Sequence, residues 1–183
     1  MLKGNRVYLC ALEREDLPHL MKWRNQTEFR KYFREYREIN SDMQNNWYEK
    51  KVINNSSTIM FAIRDVKNDE LLGCCGLCYI NWVHRNSDLS LYIGKDNAYI
   101  DDKGYAKESC QLLFDYGFLE LGLEKIWSEL YEFDSKKISL YQQLGMQLDG
   151  TLRNQYYYDG KWWNSKIFSI LNADWKEGRN NIG

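Results

Sequence analysis

Residues 87–106 read SDLSLYIGKDNAYIDDKGYA, and the order of patterns within them decides what kind of sheet the rest of the chain must build. Over 87–93, Leu89, Leu91 and Ile93 alternate with Asp88, Ser90 and Tyr92, the period of a strand with one apolar face and one polar, chemically equipped face. A polar loop follows Gly94 and leads to Lys103-Gly104-Tyr105-Ala106. From Ala106 the positions Cys110, Leu113, Phe114, Gly117 and Leu121 recur at helical spacing. This order predicts a strand that feeds a helix N-terminus through a glycine turn, with free N–H groups and the positive end of the helix dipole facing that turn. Such a turn takes phosphate, although a glycine there serves equally well to make a tight bend.

Working outward, residues 58–64 and 71–80 are strand-like runs separated by the turn-forming 65–70, the signature of an antiparallel hairpin. Residues 125–133 predict the next strand, and Asp134 caps a helix that ends at Gly145. Two more strands, 151–158 and 162–171, pair across Asp159-Gly160. Toward the N-terminus, 7–12 predicts a strand, Asp16 an N-cap with Pro18 in the first helical turn, and Ser41 with Gln44 a capping box. Residues 29–39 are rich in aromatics and both charge signs, and no period assigns them. The sum is an α/β (α+β) fold, a mixed and mostly antiparallel central sheet flanked by helices. It forms one domain over 1–175, with a tail over 176–183 expected to fray.

Composition narrows the function. In 183 residues, 25 Lys and Arg stand against 26 Asp and Glu, so no global basic field holds the chain on a phosphate backbone, and nucleic acid is not the expected partner. The longest uncharged stretch, 71–83, is too short to span a bilayer and is broken by Gly73, Gly76 and Asn81, which argues against a membrane protein. The first residues carry no apolar signal core, and five cysteines make an odd count, so reduced thiols in a cytoplasmic protein are expected. Cys74, Cys75 and Cys78 crowd one apolar strand with no second ligand pair, so no metal site is assigned.

The helix Asp134-Ser-Lys-Lys-Ile-Ser-Leu-Tyr141-Gln-Gln-Leu-Gly145-Met146 and the turn Asp101-Asp-Lys-Gly104-Tyr-Ala106 together resemble the GNAT acetyltransferase superfamily. In that family the turn reads Gln/Arg-x-x-Gly-x-Gly/Ala and the helix Asn-x-x-x-Ile-x-x-Tyr-x-x-x-Gly-Phe. The order of elements also resembles the branch holding ribosomal-protein N-terminal and spermidine acetyltransferases. The chain departs from the pattern at Asp101, where a cation or an amide is usual, and at Asp134, where Asn is. The resemblance implies an N-acetyltransferase with acetyl-CoA as co-substrate and a sheet splayed at the cofactor strand. It implies cofactor contacts from Leu91, Tyr92, Ile93, Asp101, Lys103, Gly104, Tyr105, Ala106, Lys107, Asp134, Lys136 and Tyr141, and Tyr141 as the acid that protonates the leaving thiolate. Asp101 and its neighbour Asp102 repel a diphosphate if they face it, so both are expected to point to solvent, with Lys103, Lys107, Lys136 and Lys137 offsetting their charge.

Direct transfer needs a carboxylate near the acetyl group, because an alkyl amine with a pKa of about 10.4 must lose its proton. Asp88 and Glu129 are the candidates. Together with acids from 29–39 they are expected to form a negative cleft without a matching basic patch, which favours a polyamine-like cationic amine as acceptor. A peptide N-terminus would want a groove with exposed backbone groups, and an amino-sugar nucleotide a second phosphate site. The alternative from a different class is a non-catalytic CoA-binding or interaction module. A homo-oligomer is compatible with all of these readings.

Overall fold

Alternating apolar and polar positions make the strands of this chain, and the glycine and Asx turns between them set their direction. The computed structural model describes residues 1–180. β1 (Leu2–Lys3) and β2 (Val7–Ala11) are followed by α1 (Leu17–Arg24), α2 (Thr27–Arg30) and α3 (Ser41–Trp47). β3 (Ile59–Asp65), β4 (Leu71–Asn81) and β5 (Asn86–Ile93) run antiparallel to one another. Then come α4 (Tyr105–Asp115), β6 (Lys125–Tyr131), α5 (Ser135–Gln143), β7 (Gln147–Tyr158), β8 (Lys161–Leu171) and α6 (Asn172–Asn180). The eight strands form one sheet in the order β1-β2-β3-β4-β5-β6-β8-β7. Every neighbouring pair is antiparallel except β5 and β6, which are parallel.

Both faces of β5 are covered, which its alternation alone did not reveal. Leu89, Leu91 and Ile93 are buried on one face, where Leu77 of β4 lies under Gly117 at the end of the α4 segment. A side chain at Gly117 would meet Ile126 and Leu77, so its absence lets the helix approach the sheet. On the other face Tyr92 meets the edge of Phe33, with ring centroids 5.2 Å apart, in the segment after α2. Residues 29–39 are thus one turn of helix and an irregular crossing, pinned where Asn25 donates to the Ile39 carbonyl (2.7 Å) and accepts from its amide (2.8 Å).

Three local expectations change. Asn40, not Ser41, caps α3 by accepting from the Met43 amide at 2.8 Å, because Ser41 is already helical. Asp16 makes no cap to α1; it accepts from the Glu13 amide (3.0 Å) and pairs with Arg64 (2.6 Å). The tail expected to fray from Lys176 continues α6 as far as Asn180, with Arg179 on Asp115 at 3.0 Å; residues 181–183 lie outside the described residues. No helix among the described residues is long and apolar enough to cross a membrane.

Candidate active site

The parallel pairing of β5 and β6 covers only Asn86↔Lys125, Ser87↔Ile126 and Asp88↔Trp127. Beyond Asp88 the two strands separate, and side chains take over the groups that pairing leaves free. The Ser128 hydroxyl donates to the Leu89 carbonyl at 3.1 Å. The Ile93 amide donates to the Tyr99 carbonyl at 3.0 Å, so that amide is not free for a ligand as the sequence reading had it. Tyr92 is excluded too: since Ile93 turns its amide outward, strand alternation turns the peptide groups of Tyr92 toward its β4 partner Cys74. Leu91 is left between them as the position whose peptide groups face the gap.

Tyr141 sits at this gap. It is 0% exposed, and its hydroxyl has no hydrogen-bond partner among the described residues. It faces the Ser128 hydroxyl, whose own proton goes to the Leu89 carbonyl. Burial holds the phenol well above its ordinary pKa. A buried, unsatisfied donor is a destabilising feature in a folded chain and is retained where something else supplies the acceptor.

Asp88 and Glu129 lie on the opposite face. Burial pushes the Asp88 carboxyl up to about 6, against a smaller pull from Arg34. The expected negative cleft is not what forms. Residues 29–39 contribute Arg34, whose guanidinium lies 3.6 Å from Asp88 and 3.4 Å from Glu129, while Glu35 turns away to pair with Arg37 at 2.8 Å. Glu129 is further held by the Ser165 hydroxyl at 2.6 Å. Asp88 is thus brought toward neutral pH by its burial. Cys78, opposite Asp88 in the ladder, has its thiol pushed up to about 12 by burial and is no nucleophile there.

A groove of about 490 Å³ between the start of α4 and α5 is lined by Gly104, Lys107, Ser135, Lys136 and Ser139 among others. Gly104 has φ +88°, a conformation that glycine adopts without strain. Asp101 does not point to solvent. Its carboxylate accepts from the amides of Lys103 (2.8 Å), Tyr105 (2.9 Å) and Ala106 (2.8 Å), satisfying the helix start from within. Lys103 is drawn to Asp96 at 2.9 Å, and the Tyr105 hydroxyl to Asp65 at 3.3 Å, which leaves Lys107 and Lys136 as the cations lining the groove. Asp134 is buried and caps α5 through the Lys137 amide (3.2 Å) while accepting from the Tyr99 hydroxyl (3.2 Å). The same helix turn buries Lys137 against the Tyr99 ring at 4.8 Å, and burial lowers the pKa of its ammonium.

Arg34, Lys137 and Ser128 are the residues here that sequence reasoning did not place. Arg34 lay in a segment without period, and Lys137 was grouped with the solvated lysines around it. Only the position of Lys137 one helical turn before Tyr141 hinted that it faces inward.

Residues 6–147 match the family model described as acetyltransferase (GNAT) domain. The spermidine N(1)-acetyltransferase of Vibrio cholerae is 26% identical over 170 residues, covering 93% of this chain and 95% of the relative. That of Escherichia coli strain K12 is 29% identical over 166 residues, covering 90% and 86%. The crystal structure of the Vibrio cholerae spermidine N-acetyltransferase in complex with CoA and spermine superposes with a TM-score of 0.84 at 26% identity, over 93% of this chain and 98% of that one.

Proposed function

The chain belongs to the GNAT acetyltransferase family, and from that premise we propose that it acetylates a small molecule's primary amine by direct attack at the gap between β5 and β6. It is an acetyl-CoA-dependent N-acetyltransferase, and the residues present fit that co-substrate. A groove lined by Lys107 and Lys136, with Asp101 and Asp102 on the same lining, runs from the Gly104 turn toward α5, and Leu91 offers an unpaired strand edge on which an extended pantetheine arm can lie. The observation that carries the reading is the Tyr141 hydroxyl, fully buried and without a partner at that gap.

Acetyl-CoA supplies the thioester carbonyl and a thiolate leaving group. Asp88 faces the attacking nitrogen and takes its proton. A base near pKa 6 removes few protons from a resting ammonium, so the amine reacts from its neutral fraction, its first proton left to solvent, and Asp88 takes the second as the C–N bond forms and the N–H becomes acidic. Tyr141 gives its phenolic proton to the departing sulfur. The low-dielectric surroundings that raise the phenol also penalise a bare thiolate, so the transfer is not set back by burial. The protonated Cys78 thiol argues against a cysteine-bound acetyl group and for a single displacement.

The relatives named for spermidine support a polyamine-like alkylamine as acceptor. A second reading, an amine on a molecule that also bears an anion, is favoured by one observation, the cations Arg24, Arg34 and Lys51 beside the Asp88 face. Thiol release from acetyl-CoA, followed with a panel of amines on the protein and on Tyr141→Phe, tests the function. Amine-dependent release that falls roughly 10²-fold in kcat in the variant, at little changed acetyl-CoA affinity, is expected. An unchanged kcat in a chemistry-limited assay removes Tyr141 from its role, and no release with any amine removes the function.

A further inference from the structure

On the face of β5 that carries Asp88, the next inward-facing positions, Ser90 and Tyr92, form one wall of a separate cavity of about 210 Å³ roofed by α1 and α3. Its other walls include Phe33, Trp47, Gln44 and Thr58, and its charged lining residues are Arg24 and Lys51; no carboxylate lines it. Arg24 is half-buried and has no salt bridge among the described residues. Its guanidinium stacks on the Phe33 ring at 4.6 Å, its buried Nε has no hydrogen-bond partner among the described residues, and the nearby Glu35 is committed to Arg37 at 2.8 Å. Lys51 stands exposed beside it with no ion pair among the described residues.

Beside the reacting nitrogen, Asp88 and Glu129, the acids that would hold the second ammonium of a polyamine, already share the Arg34 guanidinium at 3.6 and 3.4 Å. A polycation extended from Asp88 into this cavity meets Arg24 and Lys51, and like charges in a half-desolvated site repel by several kcal/mol. An anion there has a stacked guanidinium, an ammonium and a buried amide, that of Gln44, to receive it.

We propose that this cavity is the acceptor's anion subsite, so that the alkylamine acetylated here carries a carboxylate or phosphate at its far end, received by Arg24 and Lys51. The proposal rests on the reading above that the Asp88 face receives the amine. It takes the second of the two acceptor readings, an amine with an anion in place of the distal ammonium, with an apolar or ring-bearing body between the two charges against Phe33 and Trp47.

The test compares kcat/KM with acetyl-CoA for spermidine, butylamine, 4-aminobutyrate, 6-aminohexanoate, phosphoethanolamine and glucosamine 6-phosphate. An anion-bearing amine is expected to exceed spermidine about tenfold or more, the scale of one charge-assisted hydrogen bond, and the carboxylate and phosphate arms tell the two anions apart. Arg24→Gln and Lys51→Gln are expected to raise KM for that amine by a similar factor, with kcat held within about twofold and butylamine unaffected. Lys51 is exposed, so its variant keeps the test alive if Arg24→Gln does not fold. Preference for spermidine, or variants that leave the KM of the anionic amine unmoved, overturns the subsite. Turnover of no amine at all overturns instead the function on which it rests.

Discussion

Asp88 titrates between its charge partners and its burial, and burial wins: the carboxyl moves from 3.8 to about 6 despite Arg34. A group whose folded pKa is raised binds its proton more tightly in the native state. Its contribution to stability is therefore present below about pH 4 and is lost as pH rises through about 6. As a base it must be ionised to act, so kcat/KM is expected to climb through about pH 6, in the range where the same group ceases to stabilise the fold. Asp88→Asn should lower kcat/KM by roughly 10²-fold and raise Tm at pH 8 relative to the native chain, with the difference vanishing near pH 4. Equal Tm values at pH 8 would show that the carboxylate is better solvated than its surroundings indicate. The alternation over 87–93 made this residue legible. Arg34 was not, because an irregular crossing held by side-chain bonds such as those of Asn25 leaves no period to read.

At the scale of the element, α4 shows how a correct motif conceals its own departure. The glycine turn and the helix lie where the pattern of 103–121 put them, and Gly104 has the positive φ the turn requires. Asp101 turns inward where a charge next to an anion site is expected to face solvent. With three unpaired amides within reach, the carboxylate stabilises itself by folding back on them. Asp101→Ala should therefore destabilise the free protein by about 1 kcal/mol, the usual worth of such a cap. If the diphosphate of acetyl-CoA takes the same amides, the substitution should also tighten acetyl-CoA binding. Calorimetric titration against Tm decides it: both falling together would mean that Asp101 supports the bound state. Other elements were legible to different degrees. The hairpins and the Asp134 cap follow from local chemistry, whereas the two-residue β1 and the four-residue α2 exist through tertiary packing and leave almost no pattern of their own.

For the whole molecule, mixed sheet and element order were legible because each depends on turn types and periodicity summed over many residues, whereas the splay was expected from the family resemblance alone. The acceptor face was not legible, since it is assembled from α1, α3, the 29–39 crossing and three strands that no local signal brings together. Among the described residues, three backbone ladder pairs join the β1–β5 half of the sheet to β6, β8 and β7. In mechanical terms the sheet is two plates meeting along a short seam, and a ligand lying in the widened part of that seam acts as a clasp. Without the clasp, the β6–β8 plate should open sub-globally at a lower free energy than β2–β4, giving two families of amide exchange. Acetyl-CoA at a hundredfold excess over Kd, worth about 2.7 kcal/mol, should draw the families together. A single exchange isotherm in the free chain would mean that the helices packed on both faces, not the ligand, already hold the plates as one.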